Sequence, residues 1–391
     1  MLKLLIKKGL ISQKEVDGLR AEIEKKAEPT PKGLEARVTN LEKKQKEVPS
    51  WIKDFKFKGD LRLRNEAESN APGKDNNRQR LRFRVGATTK VNDQVKLGFG
   101  LATGGSSITS TNQTLDDSFS TKNFDLDYAY VKYEPRDWLY LIGGKFKSPF
   151  FHTDMLWDSD IRFEGAVVKL THKLNSFEAN PTKVFLAGGY FPLENLSSTA
   201  RDPHLFIAQA GTETKIKDWD AKLKTGLAFY NFKSVEGTVL STLPSTNTTV
   251  GTNLRYDYRI ISPALKFSSS NIFGIIDIPA GLLAEFAENT AVSRSNEAWR
   301  VGAWLGKSKV KKKGQWRLLG QYSRLAADAM VDVFPDGDFN DAKTNAKGWE
   351  LIFDYGLADN LTFSVDYYNT EVITGNKSDD QIIQTDLIFK F

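Results

Sequence analysis

From Phe55 to the last residue, apolar side chains recur at every second position, and no other feature of this 391-residue chain restricts its fold as strongly. Phe55, Phe57, Leu61 and Leu63 alternate with Lys56, Lys58, Asp60, Arg62 and Arg64; Leu81, Phe83 and Val85 alternate with Arg80, Arg82 and Arg84; Val95, Leu97, Phe99 and Leu101 follow. Later runs are Phe124, Leu126, Tyr128 and Tyr130 against Asp125 and Asp127, and Trp349, Leu351, Phe353 and Tyr355 against Glu350 and Asp354. Leu361, Phe363, Val365 and Tyr367 alternate with Thr362, Ser364 and Asp366. A period of two is that of a strand with one apolar and one polar face. About sixteen such segments, each of roughly ten residues, fit a closed strand barrel that crosses a membrane.

The last segment, DQIIQTDLIFKF, sharpens the reading. Phe389, Leu387, Thr385 and Ile383 lie on one face, Lys390, Asp386 and Gln384 on the other, and the chain stops on Phe391. A sheet in lipid can leave no open edge, because an unpaired backbone group there costs several kcal/mol, so a final strand of this kind is expected to close the sheet on strand one. The connections alternate in length as well. Ala67–Asn77, Thr103–Lys122, Lys145–Asp160, Phe191–Asp202, Val235–Val250 and Ala327–Thr344 are long and polar, whereas Val91–Asp93, Glu134–Asp137, Lys217–Trp219 and Leu357–Asp359 are short. One end of the barrel therefore has loops and the other turns, as in outer-membrane barrels. A soluble sandwich also alternates, but here Tyr128, Tyr130, Trp138, Tyr140, Trp299, Trp316, Tyr322, Trp349 and Tyr355 stand near segment ends on the apolar side, as an interfacial aromatic girdle would. The fold class expected is all-β: a closed transmembrane antiparallel β-barrel of about sixteen strands.

Residues 1–50 read differently. Ser12 and Glu15 form a capping box ahead of Val16, Leu19 and Ile23 at helical spacing. After Pro29 and Pro31, Leu34, Val38 and Leu41 are spaced four and three, a short heptad seam that needs a partner to persist. The expected organisation is a helical segment with a short coiled coil over 1–50 and a barrel over 51–391, the seam residues serving oligomerisation. The chain has no Cys and a net charge of +6 with acidic residues interleaved, which argues against a nucleic-acid partner. MLKLLIKKGL has too short an apolar core for a secretory signal, so export would require the numbering to begin after its removal.

Three stretches, KKGLISQKEVDGLRAEI, FDLDYAYVKYEPRDWLYLIGGKFKSPFF and the terminal Phe391, resemble the bacterial putative porins. That family has a short helical or coiled-coil N-terminal segment and a sixteen-stranded barrel. The middle stretch is also similar to the equivalent hairpin of phosphate- and polyphosphate-type porins. The resemblance implies an outer-membrane location with the N-terminal segment in the periplasm, a homotrimer, and insertion by the barrel-assembly machinery with Phe391, Phe389 and Leu387 as the assembly signal. It implies passage of small hydrophilic solutes, no cofactor and no catalysis.

A pore works through the residues that set the field and width of its narrowest point. The third long connection, KFKSPFFHTDMLWDSD followed by IRFEG, supplies Asp154, Asp158 and Asp160, with Phe150, Phe151, Met155, Leu156 and Trp157 to pin it to the wall. Arg62, Arg64, Arg80, Arg82 and Arg84 on adjacent inward faces, strands about 4.8 Å apart, form one basic patch. Arg162 and Glu164 either join this constriction or pair with each other. The alternative reading pairs the arginines with wall carboxylates such as Asp60, Asp125 and Asp127. His152, His172 and His204 are too scattered for a metal site or a catalytic triad. The expected function is a porin with a charged constriction; the rivals are an anion- or phosphate-preferring channel and a barrel that only tethers the envelope.

Overall fold

The computed structural model describes residues 6, 8–9, 11–26, 37–41, 54–70, 75–105, 107–174, 180–196, 201–240, 246–272, 276–375 and 379–391. The chain divides into two compact units, Met1–Asp54 and Phe55–Phe391. In the first, helix α1 (Gln13–Lys26) opens with the capping box: the Ser12 amide donates to Glu15 Oε2 at 2.8 Å and the Glu15 amide to Ser12 Oγ at 3.2 Å. Residues 37–41 are helical, with Val38 and Leu41 exposed; Leu34 lies outside the described residues.

Among the described residues the second unit holds a small ribbon of Thr249–Val250 with Asn253–Leu254 and a sheet of 17 strands, of which the two-residue Gln113–Thr114 is a side branch, leaving sixteen in the wall. They are β1 (Lys56–Asn70), β2 (Asn76–Lys90), β3 (Val95–Thr103), β4 (Phe124–Arg136), β5 (Leu139–Lys147), β6 (Arg162–Leu174), β7 (Thr182–Pro192) and β8 (His204–Ile216). The second half is β9 (Ala221–Lys233), β10 (Tyr258–Ser269), β11 (Ala280–Asn289), β12 (Glu297–Gly306), β13 (Trp316–Leu325), β14 (Ala346–Ala358), β15 (Leu361–Val372) and β16 (Asp379–Lys390). Each pairs antiparallel with its neighbours in sequence, and β1 pairs with β16 from Asp60/Lys390 to Asn70/Asp380, so the sheet has no free end. Among the described residues no helix is long and apolar enough to cross a membrane; the strands carry that role.

The closing contact continues through the last residue. The Phe391 amide donates to the Gly59 carbonyl at 3.1 Å and the Gly59 amide to the Phe391 carbonyl at 2.9 Å. A side chain at Gly59 would meet the Phe391 ring 2.4 Å away, so the glycine leaves room for that ring to stack on Phe83 at 6.3 Å. Leu387 and Phe389 face Leu63 and Leu61 across the seam, the outward positions of β1.

Outward positions are the exposed apolar ones, such as Leu63, Val131, Leu186, Leu227, Val301 and Phe353. Three of the aromatics expected at the outer rim face inward instead. The register of β3 on β4 shifts between Gly100 and Leu101, opposite Tyr128 and Leu126. The extra residue turns Tyr128 and Tyr130 to the inner side while Phe124 and Leu126 stay outside. Tyr128 lies over Gly86 and Gly100, where any Cβ would collide with its ring or hydroxyl. Tyr140 also faces inward, beneath Lys132, whose ammonium sits 4.1 Å from the ring centre. Pairing of β4 with β5 ends at Ala129/Lys145, so in the backbone ladder the loop-end part of β4 pairs with β3.

Candidate pore constriction

Two long connections fold into the barrel. From 148–161, Met155, Leu156 and Trp157 are buried, the indole packing on Phe163, Tyr230, Phe232 and Phe334 at centroid distances of 4.8, 5.8, 6.1 and 5.0 Å. Burying side chains of this size stabilises by about 1.5–3 kcal/mol each, which offsets part of the conformational entropy lost in ordering the loop. Polar contacts fix its path. The Phe151 amide and carbonyl both meet the Gln209 side chain, at 2.8 and 2.7 Å, and Thr153 donates its amide to Glu285 Oε2 on β11 at 2.7 Å.

The second connection, 326–345, buries Met330, Val331 and Phe339 beside the first. The residues 246–248 tie it down: Thr246 and Thr248 bond the carboxylates of Asp332 and Asp328, and Asn247 bonds the carbonyls of Ala327 and Met330. The two loops meet at Asp158. Its amide donates to the Phe334 carbonyl, and its Oδ2 accepts from the Gly337 amide, both at 2.7 Å.

The five arginines predicted as one inward patch are brought together on β1 and β2, with Arg62 opposite Arg82 and Arg64 opposite Arg80. The structure interleaves them with carboxylates. Asp60 bridges Arg82 and Arg84, each at 2.8 Å; Glu66 holds Arg80 at 3.1 Å; Asp386 holds Arg64 at 2.7 Å and Arg62 at 3.6 Å; Asp338, from the second loop, reaches Arg64 at 3.3 Å. Asp60 thus plays the wall-partner part that the alternative reading gave it, while Glu66, Asp338 and Asp386 were not anticipated.

The loop carboxylates do not line up across the lumen. Asp160 lies in the arginine wall, 2.9 Å from Arg84; Asp158 serves the loop junction; Asp154 is exposed. Arg162 pairs with Asp127 at 3.1 Å and donates to the carbonyls of Ser159, Asp160 and Ile161. Glu164 is exposed and pairs with Lys145, where β4 and β5 have separated, and both line a cavity shared with Asp127, Asp160 and Arg162.

Two cavities of about 460 and 410 Å³ lie along this wall, and Asp127 and Arg162 line both. Asp160 lines the first and Arg84 the second. Two ion pairs, Arg84 with Asp160 and Arg162 with Asp127, therefore stand where the cavities meet. Arg84, Asp160 and Arg162 were legible in the sequence as candidates, and Asp127 only as a wall partner.

A further set was missed. Lys132, Lys169, Lys224 and Lys266 face inward near the turn end on β4, β6, β9 and β10. Each lies over an aromatic ring, Tyr140, Phe185, Phe151 and Trp304 respectively, at 4.1–5.1 Å. The signal was present: in three of these four strands a lone lysine sits between two apolar outward residues, as Lys169 does between Val168 and Leu170.

The loop junction titrates. Burial and the adjacent Asp160 push the Asp158 carboxyl up to about 8, outweighing the amides of Asp160 and Gly337 that favour its charged form. Asp160 moves the other way: burial would raise it, but Arg84, Arg82 and their neighbours hold it at about 2. An acid raised on folding contributes fully below its unfolded pKa and loses that contribution as pH rises through its folded value. The junction is thus firmest in acid and loosens between about pH 4 and 8, whereas the Arg84 contact persists until pH falls toward about 2. Current noise in bilayers should grow from pH 5 to pH 9, and Asp158→Asn should flatten that growth. Equal growth in the variant would assign the titration elsewhere.

A closed sixteen-strand barrel with long loops folded inward along a wall of paired charges is the architecture of an outer-membrane porin. The chain belongs to the putative porin family, which it matches over residues 69–268 and 247–391. Among solved structures it is similar to OprB of Pseudomonas putida. The high-pH form matches at TM-score 0.58 and 13% identity over 87% of this chain and 95% of that one, and the low-pH form at 0.50 and 12% over 87% and 93%. At these identities the likeness concerns the fold. No functionally curated protein matches the sequence.

Proposed function

We propose that small hydrophilic solutes diffuse passively past the paired charges of Arg84, Asp160, Arg162 and Asp127, and that the lumen prefers anions weakly, without catalysis. The observation that carries the preference is the lysine set. The arginines already have carboxylate partners, so their charge is largely cancelled locally, whereas among the described residues Lys132 and Lys224 have carboxylate partners, and Lys169 and Lys266 are in no salt bridge. In a low-dielectric tube this excess draws anions, and more so at low salt, where screening is slight. Phosphate is one anion of suitable charge and size. Changing all four lysines to Gln should move the reversal potential in a salt gradient toward cations. An unmoved potential would reject the lysines as the source of selectivity. The packing of both loops in the lumen favours a second reading, a plugged barrel that serves as a tether, which conductance separates from the first.

In this reading the turn end faces the periplasm together with residues 1–50, and the barrel-assembly machinery recognises Phe391, Phe389 and Leu387. We assign the N-terminal seam to a homotrimer; the exposure of Val38 and Leu41 supports an apolar partner for it. Val38→Asp with Leu41→Asp should loosen the oligomer on a native gel without altering the barrel. A wild-type monomer would rule the seam out.

A further inference from the structure

We propose that the outer wall at the turn end binds an anionic phospholipid, with an acyl chain in a depression over β12 and β13 and the phosphate on the lysine-rich turn that joins them. The inference rests on the reading that this end faces the periplasm, where the leaflet is phospholipid. The depression has a volume of about 550 Å³, with Leu282, Leu305, Leu318 and Leu351 among its walls. Its floor exists because two facing outward positions lack bulk: Ala303 pairs directly with Gly320. Gly320 in turn faces Leu351, and a Cβ added there would lie 3.3 Å from that leucine's Cδ2. The flanking leucines are all substantially exposed, so the notch opens to the hydrocarbon. A void in such a wall forfeits dispersion contacts on every lining atom, and a flexible methylene chain is the group that fills it.

The turn directly above supplies the charge. Residues 307–315 read KSKVKKKGQ, and Lys307, Lys309, Lys311, Lys312 and Lys313 are all exposed. None of the five is in a salt bridge among the described residues. Asp359 is the carboxylate that touches the turn, and it accepts the Lys313 amide at 3.1 Å.

The cluster is nevertheless held in shape. Val310 is buried, the Gln315 side chain accepts the amides of Lys311 and Lys312 at 2.9 and 3.1 Å, and the Lys307 amide donates to the Trp316 carbonyl at 2.8 Å. Five like charges fixed on one turn repel one another unless anions answer them. Lys307 follows Leu305 by two residues and Leu318 lies just past the turn, so headgroup and chain sites are contiguous. A phosphodiester above an acyl chain joins those two features in one molecule, and a net negative headgroup distinguishes it from a zwitterionic one.

Native mass spectrometry of the folded, full-length protein with phosphatidylglycerol or phosphatidylethanolamine tests this. The wild type is expected to retain phosphatidylglycerol at least tenfold better. Changing the five lysines to Gln should abolish the difference, and Gly320→Leu, which fills the notch, should lower retention of both lipids, with heat-modifiable migration confirming that each variant is folded. Equal retention of the two lipids by the wild type, or an undiminished preference in the lysine variant, would overturn the proposal. The orientation is read separately, by trypsin added to intact cells: cleavage at the 307–313 turn would place it outside and overturn the leaflet assignment, whereas protection there with no lipid preference would reject the lipid site alone.

Discussion

Deleting Phe391 is expected to remove most of the heat-modifiable, membrane-inserted protein. The residue makes both backbone hydrogen bonds with Gly59 that end the closing seam, and its ring covers that glycine and stacks on Phe83. Without it the first turn of β1 keeps an unpaired edge toward lipid, where each unmet backbone group costs several kcal/mol. Gly59→Leu should act in the same direction by displacing the ring while leaving the chain end intact. Both variants are measured by the folded fraction on unheated gels after membrane extraction. Wild-type levels of assembly in both would mean that the barrel closes without this contact.

Removing Thr153–Ser159 is expected to give the largest change in conductance, at least roughly a doubling, because current follows the open cross-section. The deletion takes out Met155, Leu156 and Trp157, on which Phe334 of the second loop also packs, together with the Asp158 junction. The second loop should then loosen too, and single-channel records should become larger and noisier. Arg84→Ala should give a smaller rise, since it widens the narrow point but leaves both loops packed. An unchanged step size in the deletion would place the constriction elsewhere in the lumen.

Much of the barrel was legible because its rule is local. A strand in lipid needs alternate residues of opposite character, and Phe353 or Leu387 declares its face without reference to anything distant. The inward loop was legible for a related reason, since Met155, Leu156 and Trp157 are too apolar for an exposed connection. The failures came where one residue changed the count or where partners were remote in sequence. The bulge opposite Gly100 reversed Tyr128 and Tyr130, and nothing in FDLDYAY marks the extra residue. Asp338 and Asp386 lie far along the chain from Arg64, so the cancellation of the arginine patch could not be read from β1 and β2 alone. Arg162 and Glu164, two residues apart, share a strand face and line one cavity, yet each takes a different partner, Asp127 and Lys145, and neither pairing could be read from the strand alone.

The central claim, that this barrel is an open channel despite the loops within it, is tested most directly by single-channel recording of the full-length protein in a planar bilayer. The account predicts discrete, stepwise conductance from heat-modifiable protein, weakly anion-selective in a salt gradient. Folded protein that inserts and yet gives no conductance at any pH from 5 to 9 would contradict it and leave the plugged tether standing.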